Sequence, residues 1–146
     1  MAELKMLALD LGASSGRGIV GSYDGQRLTL RENHRFSNDP MNVNGTLYWD
    51  TLRLFWEIEL RACALGVDAD VVSVGIDTWG VDFGLLDRGG MLESNPVHYR
   101  DARTEGVPKR AYEVMSRSAV YDITGLQTNN FNTLFQLLAL KEKHPD

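Results

Sequence analysis

The sequence has one cysteine, Cys63, in 146 residues, so no disulfide can close within the chain, and a reducing, cytoplasmic setting is expected. Long apolar runs are missing as well. None approaches the roughly 20 residues of a membrane-spanning helix, because Asp, Gly or Lys interrupts each of them. No charged-then-apolar leader precedes the first strand-like run. With no leader, Asn44-Gly45-Thr46 reads as a surface turn although it matches the N-glycosylation pattern. Basic charge is scarce: the net charge is −5 and no run of Lys or Arg is longer than a pair. That excludes the basic face that nucleic-acid binding requires. His34, His98 and His144 lack ligand spacing, so a histidine-built metal centre is not expected. Repeats, low-complexity tracts and linker-like stretches are absent, which makes one unit over 1–146 the simplest parse. The hydrophobic content, 43%, is enough to build one core.

The residues that are present alternate between strand and helix patterns. Leu4–Leu11, LKMLALDL, is a nearly continuous apolar run of strand length, expected to be buried on both faces, with Asp10 near its carboxyl end. Arg17–Tyr23 and Arg27–Phe36 follow across tight turns as an antiparallel meander. A loop covers Ser37–Gly45. Asp50 then caps a helix whose apolar stripe is Leu52, Phe55, Trp56, Leu60, Cys63 and Val67, with Trp49 and Trp56 packing it on the sheet. Val71–Asp77 is a second buried strand, continuing into Phe83–Leu86 and a turn at Arg88-Gly89-Gly90. Helices are predicted over Pro108–Ser116, Ala119–Ile123 and Leu134–Lys143. The order βββαβ predicts an α/β fold with a mixed sheet, of the actin-like (ribonuclease-H-like) kind.

Two segments carry chemistry. Asp10-Leu11-Gly12-Ala13-Ser14-Ser15-Gly16-Arg17 sets a carboxylate at a strand end, then a tight turn whose N–H groups and hydroxyls suit phosphate oxygens, then a cation. It is neither a Walker A loop nor a Rossmann fingerprint, and it leads into a strand. Taken alone, it fits an ordinary polar β-turn better than a nucleotide site. Gly75-Ile76-Asp77-Thr78-Trp79-Gly80-Val81-Asp82-Phe83 mixes carboxylates, an indole and glycine, which suits a polyol: carboxylates accept from vicinal hydroxyls and an indole covers an apolar sugar face. On the same residues, Asp77 and Asp82 equally cap local turns and Trp79 equally belongs to the core.

The segment Asp10–Arg17, DLGASSGR, resembles the first phosphate loop of the FGGY carbohydrate kinases, a family with two actin-like domains and ATP between them. Tyr99-Arg100-Asp101-Ala102-Arg103 resembles that family's W-x-D-x-R sugar loop, with Tyr99 where the family usually has tryptophan. Thr124-Gly125 followed by Phe131-Asn132-Thr133-Leu134 resembles the segment that brings another aromatic to the sugar. Within the family, GIDTWGVDF, YRDAR and FNTLFQL together resemble the rhamnulokinase branch, and the likeness runs in order from Asp10 to about Leu140. The resemblance implies ATP and Mg2+ as cofactors, with Asp10 beside the metal and phosphates and with Ala13, Ser14, Ser15, Gly16 and Arg17 touching ATP. It implies an L-rhamnulose site at Gly80, Asp82, Tyr99, Asp101, Arg103 and Phe131.

The implied reaction is transfer of the ATP γ-phosphoryl group to the 1-hydroxyl of L-rhamnulose. The base aspartate and the adenosine contacts are expected beyond Asp146, so the chain alone is expected to be inactive, with no catalytic base assigned within it. A homodimer through surface exposed by truncation is a further expectation, and no nucleic-acid or membrane partner is expected. Cys63 is expected in the core. Another FGGY specificity (xylulose, ribulose or fuculose) and a non-catalytic actin-like sensor are the alternatives. A ketose panel separates the first, and the presence of a downstream base aspartate separates the second.

Overall fold

The computed structural model describes residues 3–59 and 70–144. Leu60, Cys63 and Val67, placed above on the helix stripe, lie outside the described residues. The chain divides into two compact units, Met1–Pro40 with Asp50–Gly80, and Met41–Trp49 with Val81–Asp146.

The first unit is a mixed sheet in the order β3-β2-β1-β6. Strands β1 (Leu4–Leu11), β2 (Ser15–Tyr23) and β3 (Leu28–Ser37) form the expected meander, and β6 (Val71–Asp77) pairs parallel to β1. Period-two spacing turns Leu7, Leu9 and Leu11 to one face, where they are buried with Val20 and Phe36. Helix α1 (Thr51–Trp56) packs there through Leu54, and Ile58, just beyond it, adds to both clusters. Asp50 caps α1 as predicted, its side chain accepting from Arg53 N at 3.0 Å.

Three expectations fail in this unit. β1 is buried on one face only: Ala8, on the other, is exposed. β6 is an edge strand, paired on one side, and leaves Val72, Val74 and Ile76 more than half exposed. An all-apolar strand pattern reports hydrophobicity and not which elements are present to cover it. The buried side of α1 is Leu54, continued just past the helix end by Glu57 and Ile58, while Leu52 and Phe55 face solvent and Trp56 is 40% exposed beneath Arg53. A helix start that is apolar nearly all round leaves its buried side undecided by periodicity. What decides it is polar. Glu57, 2% exposed, accepts from His34 Nε2 at 2.6 Å and from Arg53 Nε at 2.7 Å, tying α1 to β3. Burial works to raise its pKa, but the hydrogen bonds and charges of His34 and Arg53 outweigh it and hold the carboxyl below the usual range.

The second unit starts with a hairpin, β4 (Met41–Val43) and β5 (Thr46–Tyr48), inside and just past the segment read as a loop. Asn44 and Gly45 turn it with φ of 52° and 83°, the doubly positive geometry of a two-residue hairpin turn. Residues 96–98 run along β5: Trp49 N donates to Pro96 O and His98 N to Leu47 O, both at 2.9 Å. Trp49 is therefore buried in this unit against His98, at 4.0 Å between rings, and not between helix and sheet of the first. The Phe83–Leu86 strand reduces to one antiparallel bridge, Leu86 to Leu92, around a turn in which Asp87 accepts from Gly89 and Met91 amides. Helices α2 (Val107–Val114), α3 (Arg117–Thr124) and α4 (Thr133–Lys143) stand where predicted to within a few residues. Val107 of α2 packs with Phe135 and Ala139 of α4 as a buried core, and α3 has no buried residue. Among the described residues no helix is long and apolar enough to cross a membrane.

Candidate functional site

The candidate phosphate turn joins β1 to β2. Gly12 N donates to Ser15 O at 2.9 Å, closing the turn, and Asn38 pins it from behind. Asn38, 6% exposed, donates from Nδ2 to Gly12 O at 2.7 Å and from its amide to Ser14 O at 3.1 Å. The Gly12 and Ser14 carbonyls are thus occupied by Asn38, and the Ser14 residue stays exposed. Asp10 stands opposite Arg17 in register and accepts from its Nε and its Nη2, both at 2.7 Å. On its other side Asp10 is opposite Asp77 of β6, whose side chain is exposed. Gly16 lies under the Phe36 ring: a Cβ added there would be 2.1 Å from Phe36 Cζ. The glycine in this turn is therefore a packing requirement set by β3.

Among the described residues no three His, Cys, Asp or Glu gather as a metal cage. Magnesium bound with ATP takes phosphates and water as most of its ligands and needs only one or two carboxylates. Asp10, two-fifths exposed, with Asp77 beside it, meets that requirement.

In the second unit the structure brings together Asp82, Tyr99, Asp101, Arg103 and Phe131 around shared partners. Gly80 belongs to the first unit, with φ of 70° and open space where a Cβ would stand. Trp49, His98, Tyr99 and Phe131 form a run of rings: Trp49 to His98 at 4.0 Å, His98 to Tyr99 at 4.7 Å, and Tyr99 edge-on to Phe131 at 5.7 Å. Asp101, 7% exposed, uses both oxygens on backbone, one on Arg103 N at 2.9 Å and one on Leu47 N at 2.8 Å, and so anchors the loop to β5. Arg103 donates from Nη2 to Gln136 Oε1 at 2.6 Å. Burial pulls the Arg103 pKa down while Asp101 and Asp82 resist. Burial pushes the Asp82 carboxyl above the usual aspartate range, against the Trp49 indole N–H, the Arg103 charge and the Tyr99 amide.

Asn38, His98 and Gln136 were not legible as site residues, since each acts through partners defined by tertiary structure. His98 is fully buried, and its Nδ1 accepts from Arg100 N at 3.0 Å, so the neutral ring carries its proton on Nε2. Burial, then the Arg100 charge, push its pKa from 6.5 to about 4, with Asp101 opposing. On acidification the unfolded chain takes up this proton before the folded one does. Stability is therefore lost as pH falls from 6.5 toward about 4, by up to about 3 kcal/mol, and levels off below that. Urea unfolding across this range should show the slope, and His98→Phe should flatten it. An equal slope in the variant would assign the effect elsewhere.

No family model matches the chain. It is 46% identical over 145 residues to a rhamnulokinase of Yersinia pestis bv. Antiqua (strain Angola), covering 96% of the chain and 30% of that relative. A rhamnulokinase of Halalkalibacterium halodurans is 46% identical over 143 residues, again 96% of this chain and 30% of the relative. The chain thus spans about 30% of the length of the curated relatives it matches. Among solved structures, gluconate kinase from Lactobacillus acidophilus superposes with a TM-score of 0.79 at 15% identity, over 99% of this chain and 30% of that one. Xylulose kinase from the same organism gives 0.78 at 16% identity, over 97% and 29%. These likenesses establish that the fold is shared with the N-terminal portion of such kinases, which is actin-like.

Proposed function

We propose that this chain, similar over nearly its whole length to part of the rhamnulokinases, is the N-terminal part of an FGGY carbohydrate kinase, and that the full-length protein transfers the ATP γ-phosphoryl group to O1 of L-rhamnulose. The products are L-rhamnulose 1-phosphate and ADP. The likeness to rhamnulokinases across nearly the whole chain is the observation that carries this reading.

The turn from Ala13 to Arg17 receives the ATP phosphates, with backbone N–H groups and the two serine hydroxyls as donors. Asp10 holds magnesium, which when bound neutralises phosphate charge. Tyr99 and Phe131 offer ring faces and edges to the ketose carbon skeleton, Arg103 donates to its hydroxyls, and Asp82 lies alongside. Asp101 keeps the sugar loop in shape, and Gly80 leaves room for the sugar's approach. The hydroxyl proton goes to an aspartate outside these 146 residues. Asp101 is unsuited to that task, with both oxygens committed to amides.

Titration calorimetry with a panel of ketoses tests the specificity. L-rhamnulose is expected to bind more tightly than xylulose, ribulose or fuculose, and Gly80→Leu to weaken the ketose about tenfold while leaving ATP affinity unchanged. Equal affinity for all four ketoses would remove the assignment to rhamnulose.

A further inference from the structure

Gln136 sits on α4 between Phe135 and Leu137, facing inward and 1% exposed. Its amide is fully used. Nε2 donates to Phe131 O at 2.9 Å and Val81 O at 3.1 Å, and Oε1 accepts from Arg103 Nη2 at 2.6 Å. Thr133 Oγ1 adds a second hydrogen bond to Val81 O at 2.7 Å. Packing does not account for this residue. The α4 core is made by Phe135 and Ala139, and a Leu or Met would fill the volume without the cost of burying an amide. What glutamine adds is one planar head that donates twice and accepts once.

The three groups it joins lie 55, 5 and 33 residues away in sequence. Each belongs to a segment at the candidate sugar site: Val81 precedes Asp82, and Phe131 and Arg103 are themselves candidate ketose contacts. Among the described residues the other side-chain hydrogen bond of Arg103 is a long one of 3.5 Å to Val97 O, so the bond to Gln136 at 2.6 Å is the shorter of the two that direct its guanidinium, beside the charges of Asp101 and Asp82. We propose that Gln136 is a positioning residue of the sugar pocket, holding Arg103, the Phe131 backbone and the Val81–Asp82 backbone in the one arrangement that accepts the ketose. The proposal rests on the ketose-kinase reading above. Gln136 itself does not touch substrate; it acts through the residues it holds.

Gln136→Met removes all three hydrogen bonds at similar volume. Gln136→Glu keeps an acceptor for Arg103 and loses both donors, and it stands as the second variant should the first not fold. In the full-length protein, either variant that retains a cooperative unfolding transition is expected to raise the ketose KM about tenfold or more, while the ATP KM stays within about twofold. A loss of stability alone would move both constants together or neither. A folded variant with an unchanged ketose KM, or with both KM values raised in parallel, overturns the positioning role. A wild-type protein that binds no ketose overturns the functional reading and this role with it, so the two failures are told apart by which protein fails.

Discussion

Asp10→Asn is expected to lower phosphoryl transfer in the full-length protein by roughly 10²- to 10³-fold, with ketose affinity and fold nearly unchanged. Asparagine keeps the shape of the side chain and removes its charge. The structural loss is the Arg17 pair, and both partners are about two-fifths exposed, so solvent screening limits that loss to about 1 kcal/mol or less. On the proposed reading the functional loss is larger, because Asp10 is the carboxylate that would hold the magnesium that neutralises the triphosphate, and asparagine removes the charge that attracts the metal. Steady-state turnover paired with calorimetric ketose binding separates the two effects. Turnover near wild type would remove Asp10 from the phosphate site, and a parallel collapse of ketose binding would mean that the substitution had disturbed the fold.

Gly16→Ala is expected to be strongly destabilising. The new Cβ would meet Phe36 Cζ at 2.1 Å and its two ring neighbours at 2.6 and 2.7 Å. Phe36 cannot easily withdraw, since it is buried with Leu11 and Leu54 and stacks on His34 at 5.6 Å. Forcing that ring aside costs about 3 kcal/mol, at the upper end of overpacking effects, and displaces the strand that carries Asn38 to the turn. Phe36→Leu in the same chain should relieve the clash, so the double variant is expected to unfold at higher urea than Gly16→Ala alone. Additive losses would show that the two side chains do not compete for the same space.

The elements whose patterns reflect local chemistry were readable from the residues. The meander of β1 to β3 follows from period-two spacing and the Asp24-Gly25 turn, and the helix cap at Asp50 follows from a side chain that accepts an amide proton, whereas Ser116, read as the end of one helix, caps the next. The β4–β5 hairpin had its signal too, in Asn44-Gly45, but three-residue strands give too little alternation to register beside a loop rich in Asn and Pro. Burial was the weaker inference. Val72, Val74 and Ile76 have the composition of a central strand and lie on an edge, because sequence pattern encodes an apolar face without encoding its cover. The acidic and aromatic candidates of the sugar site were legible as residue types. Their internal ties were not: Asp101 to Leu47 spans 54 residues and Asn38 to Gly12 spans 26, distances over which no local period carries information.

The central claim is a reaction, and its product tests it most directly. The full-length protein incubated with ATP, magnesium and L-rhamnulose is expected to release ADP in step with a new phosphate monoester. Phosphorus–proton NMR should couple that phosphorus to the C1 methylene of the ketose. ADP release without a sugar phosphate, or no release with any ketose, would contradict the account.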